Sequence, residues 1–138
     1  MSKTEAINAS VCTAMHGTRS ARSVSVVEGV LARVVVDEID SGLPIYERLS
    51  AGSPLRRFNF RDVELAWVGH FLLLSGSAEA TQKYQRVATL LVNEIDAAAA
   101  IVTSCGGVVL DGPGEAPNGS RMIARHPDGA VFEYIQPR

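Results

Sequence analysis

The chain has 138 residues, of which 46% are apolar, so it can bury one real hydrophobic core in the usual single-domain size range. Its formal charge of −2 and pI near 5.9 leave no basic footprint, which excludes nucleic acid as a partner. No apolar run approaches the roughly 20 residues a membrane span requires, and the N-terminus carries no signal-peptide pattern. A cytoplasmic protein with no membrane contact is expected. The two cysteines, Cys12 and Cys105, make neither a disulfide framework nor a zinc motif, and Cys105 reads as a small buried hydrophobe.

Residues 1–25 are rich in Ser, Thr, Ala and Asn without clear periodicity, and read as an N-terminal arm. The single domain is placed at 26–138. Val27–Val36 is β-branched and apolar, a strand by composition. Asp40 or Ser41 is expected to cap a helix with Ile39, Leu43, Tyr46 and Leu49 on its inner face. Pro44 then falls in the first turn, and Gly52-Ser-Pro54 ends the helix. Three short strands follow at Arg57–Phe60, Val63–Val68 and Phe71–Leu74, the last after a turn at Gly69.

The plan then repeats. Val34-Val-Val-Asp-Glu-Ile-Asp40 and Leu90-Leu-Val-Asn-Glu-Ile-Asp96 are nearly the same heptad, each joining an apolar run to a helical one. The second unit reads as a strand over Arg86–Val92, then a helix capped by Asp96, with Ile95, Ala98, Ala99 and Val102 inward. Gly106-Gly107 is expected to stop it in the left-handed conformation. Strands follow at Val108–Leu110, Met122–Ala124 and Val131–Ile135, with Asp111–Gly119 as a loop and His126-Pro-Asp-Gly129 as a turn. The fold class is therefore α+β, two βαβββ modules at about 26–78 and 84–138.

This module order, the duplicated heptad, and the ending Gly119-Ser-Arg-Met-Ile-Ala-Arg-His-Pro-Asp-Gly-Ala-Val-Phe-Glu-Tyr134 resemble the vicinal oxygen chelate superfamily. That group includes glyoxalase I, the bleomycin- and fosfomycin-resistance proteins, and extradiol dioxygenases. The resemblance covers about residues 26–137. It implies a curved mixed-sheet cup around a site, and a homodimer. The superfamily's metal enzymes draw ligands from the first and fourth strands of each module. Carried onto this chain, those positions fall at Leu31, Val87, Ser75 or Gly76, and Glu133. Only Glu133 is a good metal donor, so no metal and no other cofactor is expected.

Glu133 and Arg33 are expected to face the cup, where they either pair with each other or hold a ligand. Trp67, Phe71 and Met122 would form an apolar wall. His16, His70 and His126 are too scattered for a metal site, and the glycines of Asp111–Gly119 lack the strand-to-helix context of a dinucleotide loop. The leading reading is a metal-independent binding protein of the bleomycin-resistance type that sequesters an apolar or aromatic molecule, such as an antibiotic. One alternative is a lyase, isomerase or dioxygenase using Glu133 or an atypical metal site. The other is an interaction module with a vestigial cup.

Overall fold

The β-branched run Val27–Val35 forms β1, a central strand of one eight-stranded mixed sheet in the computed structural model, which describes residues 25–138. In chain order the remaining elements are α1 (Ile39–Leu49), β2 (Leu55–Phe60), β3 (Val63–Val68), β4 (Phe71–Ser75), α2 (Ala78–Lys83) and β5 (Thr89–Val92), followed by α3 (Ile95–Ser104), β6 (Val108–Ala116), β7 (Gly119–Arg125) and β8 (Val131–Pro137). The strand order β2-β3-β4-β1-β5-β8-β7-β6 reads the same from both edges once β5 to β8 are matched to β1 to β4. In each half the first and fourth strands run parallel, and the halves meet where β1 pairs antiparallel with β5. The sheet curls into a half-barrel of glyoxalase/bleomycin-resistance type, the α+β architecture expected from the repeat.

The repeated heptads sit at equivalent junctions. Ile39 opens α1 and Ile95 opens α3, with 2% and 5% of their surfaces exposed, and each anchors its helix to the convex face of the sheet. Burial of such a side chain contributes about 1.5–3 kcal/mol. Around Ile39, the cluster Leu43, Ala66, Val68 and Leu73 fills the space under α1. Around Ile95, the cluster Ala98, Val102, Met122, Ala124 and Tyr134 fills the space under α3. The concave face has its own apolar cluster, built from Leu31, Val63, Leu65, Leu72 and Leu74.

Several local expectations are corrected. The N-caps fall two residues before the expected aspartates, at Glu38 and Glu94, with no side-chain cap bond from either. Instead, Gln136 Oε1 on β8 accepts from the Ile95 amide at 2.8 Å, so the cap comes from across the sheet. Because α1 begins at Ile39, Pro44 lies in its second turn rather than its first, and Leu49 is exposed rather than inward. The short helix α2 was not anticipated; Ser77 caps it by accepting from the Ala80 amide at 3.0 Å. β5 begins at Thr89, not Arg86. The expected loop Asp111–Gly119 is largely strand: β6 runs on to Ala116 through irregularities flanking Asp111. An edge strand tolerates such glycines, prolines and bulges because one side of it needs no partner. Cys105 is half-buried and disulfide-bonded, not packed as an inert thiol. The N-terminal arm lies outside the described residues. Among the described residues no helix is long and apolar enough to cross a membrane.

Tyr134 gives the α3 core a pH limit. Burial pushes its phenol above the ordinary value, while its hydroxyl meets His126, whose ring stacks on Phe132. A raised folded-state pKa means that this contribution is complete below the unfolded tyrosine pKa of about 10 and is lost as pH rises through the folded value. Thermal melts from pH 8 to 11 should show stability falling above about pH 10, with a shallower fall in Tyr134→Phe.

Candidate functional site

Strand periodicity decides what faces the cup, because alternate residues of a strand point to opposite faces. In β2, β3 and β4 the inward residues Phe58, Phe60, Val63, Leu65, Leu72 and Leu74 give the cleft an apolar wall. The other wall carries charge. Arg33 on β1, Glu133 on β8 and Arg121 on β7 meet there, with Arg86 and Asn118 at the edge. The cleft is narrow, with a cavity volume of about 20 Å3.

Glu133 is the hub of the polar wall. Its Oε1 accepts from Arg33 Nη1 at 3.0 Å and from the Thr89 hydroxyl at 2.8 Å, and its Oε2 accepts from Arg121 Nε at 3.0 Å. Thr89, fully buried, accepts in turn from Arg33 Nη1 at 2.7 Å. Arg33 Nη2 donates to the Tyr84 carbonyl at 2.7 Å, which ties the segment after α2 across the cup. Tyr84 is held again by its hydroxyl, which donates to Asp62 at 2.8 Å and keeps that carboxyl below the usual carboxylate range. Burial pushes the Arg33 guanidinium down from its ordinary value, and Glu133 pulls it back up. Arg121 lies over the Phe60 ring at 4.7 Å and donates through Nη1 to Asp111 at 3.1 Å.

Of the five expected ligand residues, Arg33 and Glu133 are brought together, and they pair. Trp67 shares the concave face but lines a neighbouring groove with Ser53, Pro54, Arg56 and His70, and its indole N–H donates to the Gly69 carbonyl at 3.0 Å. Phe71 and Met122 are corrections. Phe71 packs on the α1 side with its ring against Tyr46, and Met122 is fully buried on the α3 side. Each is one residue out of phase: their neighbours Leu72 and Arg121 face the cup. His126 contacts the convex-face Tyr134, away from the cleft.

The positions matched to metal ligands also move. In β8 Glu133 pairs with Thr89, and in β4 Leu72 pairs with Arg33. The four equivalent positions are thus Arg33, Leu72, Thr89 and Glu133, replacing Leu31, Val87 and Ser75 or Gly76. Val87 is exposed and precedes β5, while the Ser75 hydroxyl donates to the Asp37 carbonyl. This set does not suit a divalent cation. Glu133 is its one carboxylate, both of its oxygens are engaged by guanidinium groups, and an ion there would adjoin two positive charges. Among the described residues no group of three or more His, Cys, Asp or Glu could hold a metal.

No protein-family model matches the chain, and no curated protein does. Solved structures do. Methylmalonyl-CoA epimerase from Mycobacterium tuberculosis is 17% identical with a TM-score of 0.60, over 84% of this chain and 92% of its own. The Streptomyces coelicolor methylmalonyl-CoA epimerase, solved with 2-nitronate-propionyl-CoA, is 16% identical with a TM-score of 0.59, over 83% and 99%. These likenesses define the class of fold, the glyoxalase/bleomycin-resistance type. An uncharacterized protein from Methanosarcina mazei is more similar, at 32% identity and a TM-score of 0.75 over 81% of this chain and 94% of its own. This chain belongs to the same family as that archaeal protein.

Proposed function

We propose that the chain is a metal-independent small-molecule binding protein of the vicinal oxygen chelate superfamily, which sequesters an organic molecule with an apolar or aromatic body in the cup. The carrying observation is the state of Glu133: its two oxygens already accept from Arg33, Thr89 and Arg121 beside an apolar wall. Three of the roughly four lone-pair sites of the carboxylate are thus taken by this chain's own donors. Glu133 is committed mainly to holding the cationic side chains in place, which suits recognition.

The enzyme reading draws on the epimerase neighbours. Exchange of a proton between two faces of a carbon is served by an acid–base group on each side. The described residues lining this cleft supply one carboxylate, Glu133, and a tyrosine hydroxyl that is bonded to Asp62. Sequestration asks for neither. We take the working unit to be a homodimer, which sedimentation velocity would test.

The test is a binding screen of aromatic natural products by amide-resolved NMR, with each ligand recovered and identified after long incubation. Binding that shifts the amides around Arg33, Leu72 and Glu133, survives a chelator and returns the ligand unchanged is the expected result. Steady conversion, or activity that requires added zinc, nickel, manganese or iron, would make this an enzyme and overturn the proposal.

A further inference from the structure

The three guanidinium groups of the cleft are not equally satisfied. Arg33 spends both terminal nitrogens on Thr89, Glu133 and the Tyr84 carbonyl. Arg121 is paired with Glu133 and Asp111. Arg86 has no carboxylate partner among the described residues: its Nη1 donates to the Gln85 and Lys83 carbonyls at 2.6 and 3.3 Å. Its Nε is buried and meets no acceptor among the described residues. A buried donor without an acceptor is destabilising, so this one favours any ligand oxygen that reaches it.

Resting on the reading of the cup as a small-molecule site, we infer that its occupant is an organic monocarboxylate, anchored through its carboxylate by Arg86 and Arg121 at the mouth of the cleft. Arg33, Arg86 and Arg121 face Glu133 in the cleft, and Asp111 reaches Arg121 from the adjoining groove. The guanidinium groups outnumber the carboxylates Glu133 and Asp111 that face them, so the mouth of the cleft is net positive and favours an anion. Burial disfavours the charged form of Arg86, and the like charge of Arg121 adds to this, so an anion between the two relieves both effects. The adjoining groove brings Arg61 and Lys83 beside Arg86, a positive rim that draws anions toward the mouth. A planar carboxylate fits the guanidinium fork in two parallel hydrogen bonds, and the apolar body lies against Phe58, Phe60 and Leu72.

The experiment titrates the full chain with 1-naphthoate, its neutral isostere 1-naphthamide, and 1-naphthyl phosphate, following the cleft amides by NMR at low and high salt. Naphthoate is expected to bind about tenfold more tightly than naphthamide, as befits a charge-assisted pair. Salt should weaken the first and spare the second. In Arg86→Gln the preference should collapse, and in Arg86→Lys it should partly return. Should Arg86→Gln fail to fold, the wild-type ratio and Arg86→Lys still decide. Equal affinity for naphthoate and naphthamide would overturn the carboxylate inference while leaving the cup as a binding site. Tighter binding of the phosphate would overturn the assignment of ligand class. No shift at the cleft from any of the three would overturn both this inference and the proposed function.

Discussion

Replacing Glu133 with alanine is expected to destabilise the protein by about 3–5 kcal/mol, because it leaves paired buried cations without their counter-charge. The side chains of Glu133, Arg33 and Arg121 are 12%, 8% and 11% exposed, so water can do little to replace the lost carboxylate. Thr89 would lose its acceptor as well. Melting should fall by roughly 10 °C or more for a chain of this size. Glu133→Gln keeps the shape and one acceptor, so its loss should be smaller. The informative control is Arg33→Met with Glu133→Leu and Arg121→Met, which removes the charges together. Apolar replacement of a whole buried ion cluster is often neutral or stabilising, so the triple variant should recover most of the loss. A melting temperature unchanged in Glu133→Ala would mean that the cluster is solvated, and the recognition role argued for it would lose its basis.

The cluster also shows what the duplication has kept and changed. The 56-residue offset of the heptads carries Arg33 onto Thr89, and these two residues are hydrogen bonded to each other. Register carries Leu72 onto Glu133 in the same way. One half has thus stayed apolar where the other holds a carboxylate, and a cup with one greasy and one charged wall selects amphipathic ligands.

Much of this was legible before any coordinates. The heptads place both helix caps within about two residues, since an apolar run turning helical is a strong local pattern. Arg33 is found by parity along β1, which needs no knowledge of the partners, and Glu133 by the resemblance to the superfamily's ligand-bearing last strand. Phe71 and Met122 were misplaced because strand phase must be counted from a buried neighbour, and a one-residue slip reverses the face. Thr89 could have been found, because the repeat offset points to it directly. Arg86 and Tyr84 could not: they lie in the connection after α2, whose path across the cup depends on tertiary contacts such as Tyr84 with Asp62. The strand nature of Asp111–Ala116 was hidden because edge position, not composition, makes its glycines and proline acceptable.

Gly107→Val is expected to cost about 3 kcal/mol, at the upper end for overpacking, and the reason differs from the one its Gly-Gly context suggests. The left-handed residue at the end of α3 is Gly106, with φ +93°, not Gly107. What Gly107 provides is absence of a side chain. A Cβ there would lie 2.7 Å from the Arg125 carbonyl oxygen, 2.7 Å from Val102 Cγ1 and 3.0 Å from the Val102 carbonyl. Two of these atoms are backbone, one in β7 and one in the last turn of α3, so no rotamer change relieves them. Val102 is itself 5% exposed and anchors α3 to the core, and the Gly107 amide donates to its carbonyl at 2.8 Å. A β-branched residue must therefore lever the end of the helix off the sheet. Gly106→Ala carries the conformational penalty of a left-handed position, about 1 kcal/mol. Urea denaturation of the two variants separates the causes: a larger loss at Gly107 locates the constraint in close approach. A larger loss at Gly106 would locate it in the left-handed turn and return the junction to a simple helix stop.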